Sequence, residues 1–253
     1  MTFNDFRSAL MRDGFVHIEQ MLDRHAVETL RLGAERCRVA RGIAVTKGQW
    51  NSSHWSREDA AVRDVLLGPR VGVVAAAALA AESALLLEDT YLVKEGGAAG
   101  EVPWHQDQVY YPVRSSDSVV TIWLALDDVA LNGGALRYVR GSHRWGRRFV
   151  ATEFSTGRVY ETVALEPIPD LCAAEIVSVP CRAGDAIVHA GTTLHGSGPN
   201  HTGARRRALA VSYLAPASRW ARTEVPYAHP CGWQWDRPGR EFVGLASCPQ
   251  TRM

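Results

Sequence analysis

Leu85-Leu86-Leu87-Glu88-Asp89-Thr90-Tyr91-Leu92-Val93-Lys94 is the stretch on which the fold turns. It is rich in residues that fit a pleated strand, and the texture of the chain changes there. Short β-rich runs follow at Ser118–Leu126, Ala135–Val139, Glu175–Val179, Asp185–His189 and Arg207–Leu214, separated by Gly, Pro, Asn and Asp. Many short strands with such punctuation predict a sandwich or barrel rather than alternating β/α units.

Upstream the chain reads as helical with one early strand. Asn4–Arg12 fits a short amphipathic helix ending at Gly14, and Phe15–Glu19 alternates like a strand. Asp23 is placed to cap a helix running to about Arg41, with Gly42 as its stop. Ser56 with Asp59 has the spacing of a capping box, and Pro69 opens an alanine-rich helix where its missing N–H matters little. The longest gap between strands, Gly141–Ala174, carries basic residues with Pro167 and Pro169 and is expected to form a lid or insertion. The expectation is one domain over 1–253: a mostly helical backing layer (1–83), a double-sheet β-core (84–215, with 141–174 inserted) and a C-terminal tail (216–253).

The 253 residues suffice for a full core, with 46% apolar and 22% charged side chains. The 28 basic and 27 acidic residues nearly cancel, so no global field favours nucleic acid or an anionic membrane. Five cysteines (Cys37, Cys172, Cys181, Cys231, Cys248) are scattered without a C-x-x-C pair, which argues against a disulfide framework or a thiolate zinc site. The first twenty residues mix charges among the apolar positions, unlike a secretory signal. The longest apolar stretch, Val71–Ala81, is about half the roughly 20 residues of a membrane span. A cytoplasmic enzyme acting on a small molecule is the expectation.

The chemistry starts at Trp104-His105-Gln106-Asp107. If extended, this segment points His105 and Asp107 to one face. A third ligand has to come from elsewhere, and His195, 88 residues after Asp107, is the first candidate, with His189 its rival. Two histidines and one carboxylate on one face of an octahedral ion leave three positions open, and this donor set suits iron(II). On the plainer view His189 and His195 are a core and a surface histidine. Against it, a buried strand that delivers a histidine into the glycine-rich turn His195-Gly196-Ser197-Gly198-Pro199-Asn200 is unusual for packing alone.

The ordered motifs W-H-Q-D (104–107), W-x-A-L-D-D (123–128), N-G-G (132–134), G-S-H (141–143), G-D (184–185), H-G-S-G-x-N (195–200) and R-R-A-L (206–209) resemble the phytanoyl-CoA dioxygenase family. The resemblance runs from about Phe15 to Leu214. It implies a double-stranded β-helix (jelly-roll, cupin-like) core and the use of iron(II), 2-oxoglutarate and O2. By resemblance His105, Asp107 and His195 are the metal ligands, and His189 has a structural or pocket-lining role. The family's co-substrate arginine, eleven residues after the second metal histidine, falls on Arg206. A guanidinium fork matches a carboxylate bidentately. Arg205 and Arg207 would face away on an extended strand, with Arg207 the alternative if the register slips by one. Ser197, Trp123 and Thr90 match further co-substrate contacts, and Thr121 shares a face with Trp123. Each also has an ordinary reading: Ser197 as turn chemistry, Trp123 as core, Thr90 and Thr121 as β-formers. Lys94 and Gln108 flank the site without a fixed direction.

The resemblance implies oxidation, foremost hydroxylation, of an unactivated C–H bond. Halogenating relatives lack the carboxylate that Asp107 supplies, which argues against halogenation here. Epimerisation, ring closure and desaturation stay open, as does hydroxylation of a CoA thioester. A redox-neutral isomerase and a non-catalytic jelly-roll binding module are the rival classes. Candidate substrate elements are Gln49-Trp50-Asn51, the Gly141–Ala174 loop and the aromatic tail Trp220, Tyr227, Trp233 and Trp235, which otherwise pins the tail to the barrel. The basic run Arg137, Arg140, His143, Arg144, Arg147 and Arg148 would meet an anionic handle or form a solvated face.

Overall fold

The computed structural model describes residues 2–44, 48–97, 100–114, 118–152, 159–160 and 165–221. In chain order the helices are α1 (Phe3–Asp13), α2 (Arg24–Ala40), α3 (Ala60–Leu67) and α4 (Pro69–Ala78). The strands are β1 (Phe15–Ile18), β2 (Gln49–Ser53), β3 (Leu85–Lys94), β4 (Val102–His105), β5 (Val119–Ala125), β6 (Leu136–Val139), β7 (Ala151–Thr152), β8 (Val159–Tyr160), β9 (Ile176–Val179), β10 (Ala186–Ala190), β11 (His195–Ser197) and β12 (Arg206–Leu214). Short 3-10 turns lie at Trp55–Arg57, Asp107–Tyr110 and Ser142–Arg144.

Two antiparallel sheets face each other in the expected jelly-roll arrangement. The larger has the order β1-β10-β5-β12-β3-β2 and the smaller β4-β11-β6-β9, with β7 and β8 forming a separate hairpin. Strand β5 explains the layering, because all seven of its residues are buried. Val120, Ile122 and Leu124 join a core shared with the helices, including Leu30, Val62, Leu66 and Ala75. Trp123 and Ala125 point the other way, into a second core between the sheets with Leu136, Tyr138 and Ile187. A strand covered on both faces reads as a continuous apolar run, as Val119–Ala125 does.

The helix ends follow their capping chemistry. Thr2 and Asp5 form a reciprocal capping box on α1, which ends in the left-handed Gly14. Asp23 caps α2 through the amide of Ala26, and Pro69 sits in the first turn of α4. The Ser56–Asp59 capping box does not form. Asp59 is itself the N-cap of α3, through the amide of Val62. Ser56 lies in the preceding 3-10 turn, where its hydroxyl donates to buried Asp89. The spacing fits a box, but Ser56 is held instead by Asp89, which takes its hydroxyl and the amides of Trp55 and Ser56.

The N-terminal third contributes more than a backing layer: β1 and β2 form the two edges of the large sheet. Strand β2, like the short β4 and β11, carries little apolar periodicity, being held by neighbours rather than by its own sequence. The Gly141–Ala174 stretch is partly packed down, with Phe149 and Ala151 fully buried. Residues 153–158 and 161–164 lie outside the described part, as do Tyr227, Trp233 and Trp235 of the tail. Trp220 is described and packs into a small core with Leu87, Val113, Val119 and Leu214. No described helix is long and apolar enough to cross a membrane.

Candidate metal and co-substrate site

The register of the large sheet lays its inward side chains out in rows. Lys94 pairs with Arg206, and Leu92 with Ala208 and, beyond it, Ala125. Thr90, Ala210, Trp123 and Ile187 form the next row, and Glu88, Ser212, Thr121 and His189 the last. Across from them in the small sheet His105 and His195 are direct partners on β4 and β11, with Tyr138 beside His195. These faces enclose a cavity of about 350 Å³.

His105 ends β4, Gln106 is still extended, and Asp107 opens the 3-10 turn, so the two ligand candidates project to one side although the strand has already ended. Asp107 Oδ1 lies 3.4 Å from His105 Nε2 and 3.5 Å from His195 Nε2. Neighbouring donors about 2.1 Å from a six-coordinate ion stand roughly 3 Å apart, so this spacing fits one ion. Each histidine is oriented by its other nitrogen: His105 Nδ1 donates to the Pro103 carbonyl at 2.8 Å and His195 Nδ1 to the Thr193 carbonyl at 3.0 Å. That leaves both Nε2 lone pairs aimed at the shared point.

The other carboxylate oxygen is held from the opposite sheet. Thr121 Oγ1 donates to Asp107 Oδ2 at 2.6 Å, and His189 Nε2 lies 3.0 Å from it, its Nδ1 engaged by the Tyr138 hydroxyl at 3.0 Å. One oxygen faces the histidines and the other is anchored. His189 therefore sits behind the triad as an orienting group. Thr121, expected among the co-substrate contacts because it shares a face with Trp123, lines the cavity but commits its proton to Asp107. Burial alone would raise the Asp107 pKa, but the surrounding imidazoles of His195, His105 and His189 hold it well below the usual carboxylate range. Burial, reinforced by repulsion from His105, pushes His195 well down, toward the neutral form a metal ligand needs.

Glycine allows the close approach of these strands. A Cβ on Gly196 would lie 2.8 Å from the Val102 carbonyl oxygen and 3.2 Å from that of Pro103, so β11 can lie against β4 only without a side chain there. Gln106 pins the ligand segment, donating to the Thr192 and Arg147 carbonyls and accepting from the Phe149 amide. Nothing in its sequence context announced that role.

Beyond the triad the cavity turns cationic. Arg206 is inward and buried, stacked over Trp123 at 5.4 Å, with Nη2 donating to the Gly134 carbonyl. Burial lowers its pKa to about 10. Lys94 beside it donates to the carbonyls of Gly100 and Gly198, and burial together with Arg206 brings it down to about 7. Among the described residues no carboxylate lies within ion-pair distance of either cation. Ser197 Oγ and Arg206 Nε are buried without a hydrogen-bond partner. Such unpaired groups are expensive unless a ligand satisfies them. Thr90 lines the same cavity, its hydroxyl 2.8 Å from that of Ser53. The neighbours of Arg206 face away as expected: Arg205 pairs with Glu95 and Arg207 with Asp127. Asn200 stabilises the turn before β12 by donating to the carbonyls of Lys94, Glu95 and Ala204.

Part of the basic run is taken up in ion pairs, Arg137 with Glu101, Arg140 with Asp13 and Glu175, and Arg147 with Glu166. His143 meets the Met11 carbonyl.

With fold and site in view, comparison with known proteins is direct. The phytanoyl-CoA dioxygenase (PhyH) family matches residues 10–208, and the chain belongs to that family. A probable alpha-ketoglutarate-dependent hypophosphite dioxygenase of Stutzerimonas stutzeri is 34% identical over 122 residues, 47% of this chain and 41% of that protein. The chain spans about half the length of the curated relatives it matches. Among solved structures, the alpha-ketoglutarate-dependent carbocyclase SnoK from nogalamycin biosynthesis superposes with a TM-score of 0.82 at 22% identity, covering 98% of this chain and 99% of that one. The epimerase SnoN, crystallised with Fe3+, alpha-ketoglutarate and nogalamycin RO, gives 0.80 at 22% identity over 98% of both chains. At that identity the structures establish a shared fold.

Proposed function

We infer that the chain is an iron(II)- and 2-oxoglutarate-dependent oxygenase acting on a C–H bond of a small organic molecule. The observation that carries this reading is the adjacency of the triad to two buried cations that lack a carboxylate. His105, Asp107 and His195 would hold iron(II). Arg206, with Lys94 beside it and the unpartnered Ser197 hydroxyl, would take the distal carboxylate of 2-oxoglutarate, with Trp123 and Thr90 walling the pocket. The bound metal, co-substrate and oxygen supply an oxidant strong enough for an unactivated C–H bond, with succinate and carbon dioxide as by-products.

The protein's own part is positioning and exclusion of water. Thr121 and His189 keep Asp107 Oδ2 occupied, so Oδ1 alone is presented toward the histidines. The apolar side chains of Leu92, Val102, Leu136 and Ala210 keep the cavity walls dry between its polar ends. Hydroxylation is the first reading of the outcome. Epimerisation or ring closure is the second, supported by the two enzymes of those activities that share the fold over nearly the whole chain.

Anaerobic titration with iron(II) and 2-oxoglutarate tests the reading. The expected result is a weak visible charge-transfer band from chelation at an open ferrous site, followed by succinate formation on admission of oxygen. Absence of both the band and 2-oxoglutarate affinity refutes it. With a substrate in hand, product mass separates the outcomes: one oxygen atom gained for hydroxylation, no change for epimerisation, two hydrogens lost for ring closure or desaturation.

A further inference from the structure

Glu88 has no place in the site as described so far. It projects from β3 into the same cavity as the triad, in the row of Ser212 and Thr121 and three rows from Lys94 and Arg206. The cavity therefore has a cationic end and an acidic end, with the triad's carboxylate reached from the acidic one.

What sets Glu88 apart is how it is compensated. Buried Asp89 accepts from the Trp55 and Ser56 amides and the Ser56 hydroxyl. Asp127 is paired with Arg31 and Arg207. Asp185 takes the amides of Gln20 and Arg182 and the imidazole of His17. Asp107 has the triad histidines, Thr121 and His189. Glu88 is approached by the Ser53 and Tyr111 hydroxyls, and its one ion-pair neighbour among the described residues is the His54 imidazole, with Nε2 at 3.7 Å. Among the described residues no lysine or arginine lies within ion-pair distance, and the other charged groups acting on it, Asp89 and Asp107, share its sign. Burial raises its pKa to about 7.

A carboxyl kept this way inside a pocket destabilises the free protein unless a ligand completes it. The Ser53 and Tyr111 hydroxyls already offer neutral donors beside it and His54 is a long contact at 3.7 Å, so what this end lacks is a close, permanently charged cation. Tyr110 and Tyr111 line the same cavity, and aromatic side chains accommodate a cation well. An anionic handle would be repelled by the same arrangement.

We propose that Glu88 is the substrate-recognition carboxylate of this cavity and that the substrate presents a basic amine to it. The proposal rests on the oxygenase reading for the position of the reacting carbon. It makes anionic substrates, CoA thioesters included, poor ligands at this end of the site.

The test uses the full chain loaded with iron(II) and 2-oxoglutarate under argon. The probes are a panel of small primary and secondary amines, each matched with its N-acetyl amide and with the alcohol of the same skeleton. Binding is read as the rise in thermal unfolding midpoint and converted to relative affinity. The expected result is that amine hits outbind their amides and alcohols by about tenfold or more, the scale of a charge-assisted contact. That preference should fall to within about threefold in both Glu88→Gln and Glu88→Ala. Hits no richer in amines, alcohols binding best, or an amine preference that survives both substitutions overturns the proposal. Each protein is first titrated with 2-oxoglutarate: wild type that takes up none refutes the oxygenase reading, whereas normal uptake without amine preference refutes only the role of Glu88.

Discussion

At the scale of single residues, Asp107 divides its two oxygens between two sheets: Oδ1 toward His105 and His195, Oδ2 to Thr121 and His189. Removing the carboxylate or a histidine should end metal binding, so His105→Ala and Asp107→Ala are expected to show no succinate formation and no iron-dependent absorbance. Retained turnover in either would mean the ligands are elsewhere. Thr121→Val tests the anchored oxygen. It keeps the shape and removes one donor, and loss of such a partner behind a metal ligand typically weakens metal affinity by about 10- to 100-fold. An iron titration of the variant with unchanged affinity would refute the orienting role. Lys94 gives a pH prediction whose sign is fixed. Burial first, and Arg206 second, bring its pKa to about 7, whereas a bound dianion favours the ammonium form. Above about pH 7 binding of 2-oxoglutarate must therefore take up a proton, and affinity should fall as pH rises toward the ordinary lysine value of about 10. Calorimetry in two buffers of different ionisation enthalpy at pH 8 measures that uptake directly. None would mean that Lys94 stays charged in the free site.

At the scale of elements, β12 carries the co-substrate end. Its alternation sends Arg206, Ala208, Ala210 and Ser212 inward and Arg207, Leu209, Val211 and Tyr213 outward. Arg206→Ala should raise the 2-oxoglutarate requirement by roughly a hundredfold or more, the scale of a truncated buried charge contact, while Arg205→Ala, which breaks a surface pair with Glu95, should change it less than about threefold. Equal effects in a 2-oxoglutarate titration would put the register one residue out. The strand was legible because alternation and the step from His195 agree. Strand β3 was legible to its last residue, because its Leu, Thr, Tyr and Val positions outweigh Glu88 and Asp89 and the run stops at Glu95-Gly96-Gly97. Strands β2, β4 and β11 were not, since they are short, mix polar residues, proline or glycine with few apolar ones, and become strand only by pairing. Glu88 was missed for a related reason: its significance is that hydroxyls and the His54 imidazole, rather than a lysine or arginine, surround it, which only three-dimensional neighbours reveal. The turn before β10 depends on a glycine of the G-D motif. Gly184 has φ +97°, and a Cβ there would stand 2.5 Å from the Leu22 carbonyl oxygen. Gly184→Ala should therefore destabilise the fold by about 1–3 kcal/mol, measured by denaturant unfolding. A variant as stable as wild type would show that the Leu22 segment yields easily.

At the scale of the whole molecule, the large sheet separates stability from chemistry. Its outer face packs on the helices, and its inner face carries Thr90, Lys94, Thr121, Arg206 and Ser212. Polar residues inside a barrel weaken it, because each replaces an apolar contact and several are left unpaired in the free protein. The helical layer has to offset that deficit, and one of its links to the sheet comes from α3. Leu66 is fully buried there, and its carbonyl accepts a hydrogen bond from the Tyr213 hydroxyl on β12 at 2.7 Å. Leu66→Ala should cost about 2–5 kcal/mol, the range for a fully buried leucine whose surroundings relax only partly. Because Tyr213 points outward and Arg206 inward on the same strand, the loss should appear in unfolding free energy with little change in 2-oxoglutarate affinity while the protein stays folded. Denaturant unfolding and a 2-oxoglutarate titration on one preparation distinguish the cases. A parallel loss of affinity would mean that the helical layer tunes the position of β12, and with it the co-substrate anchor, rather than only holding the sheet in place.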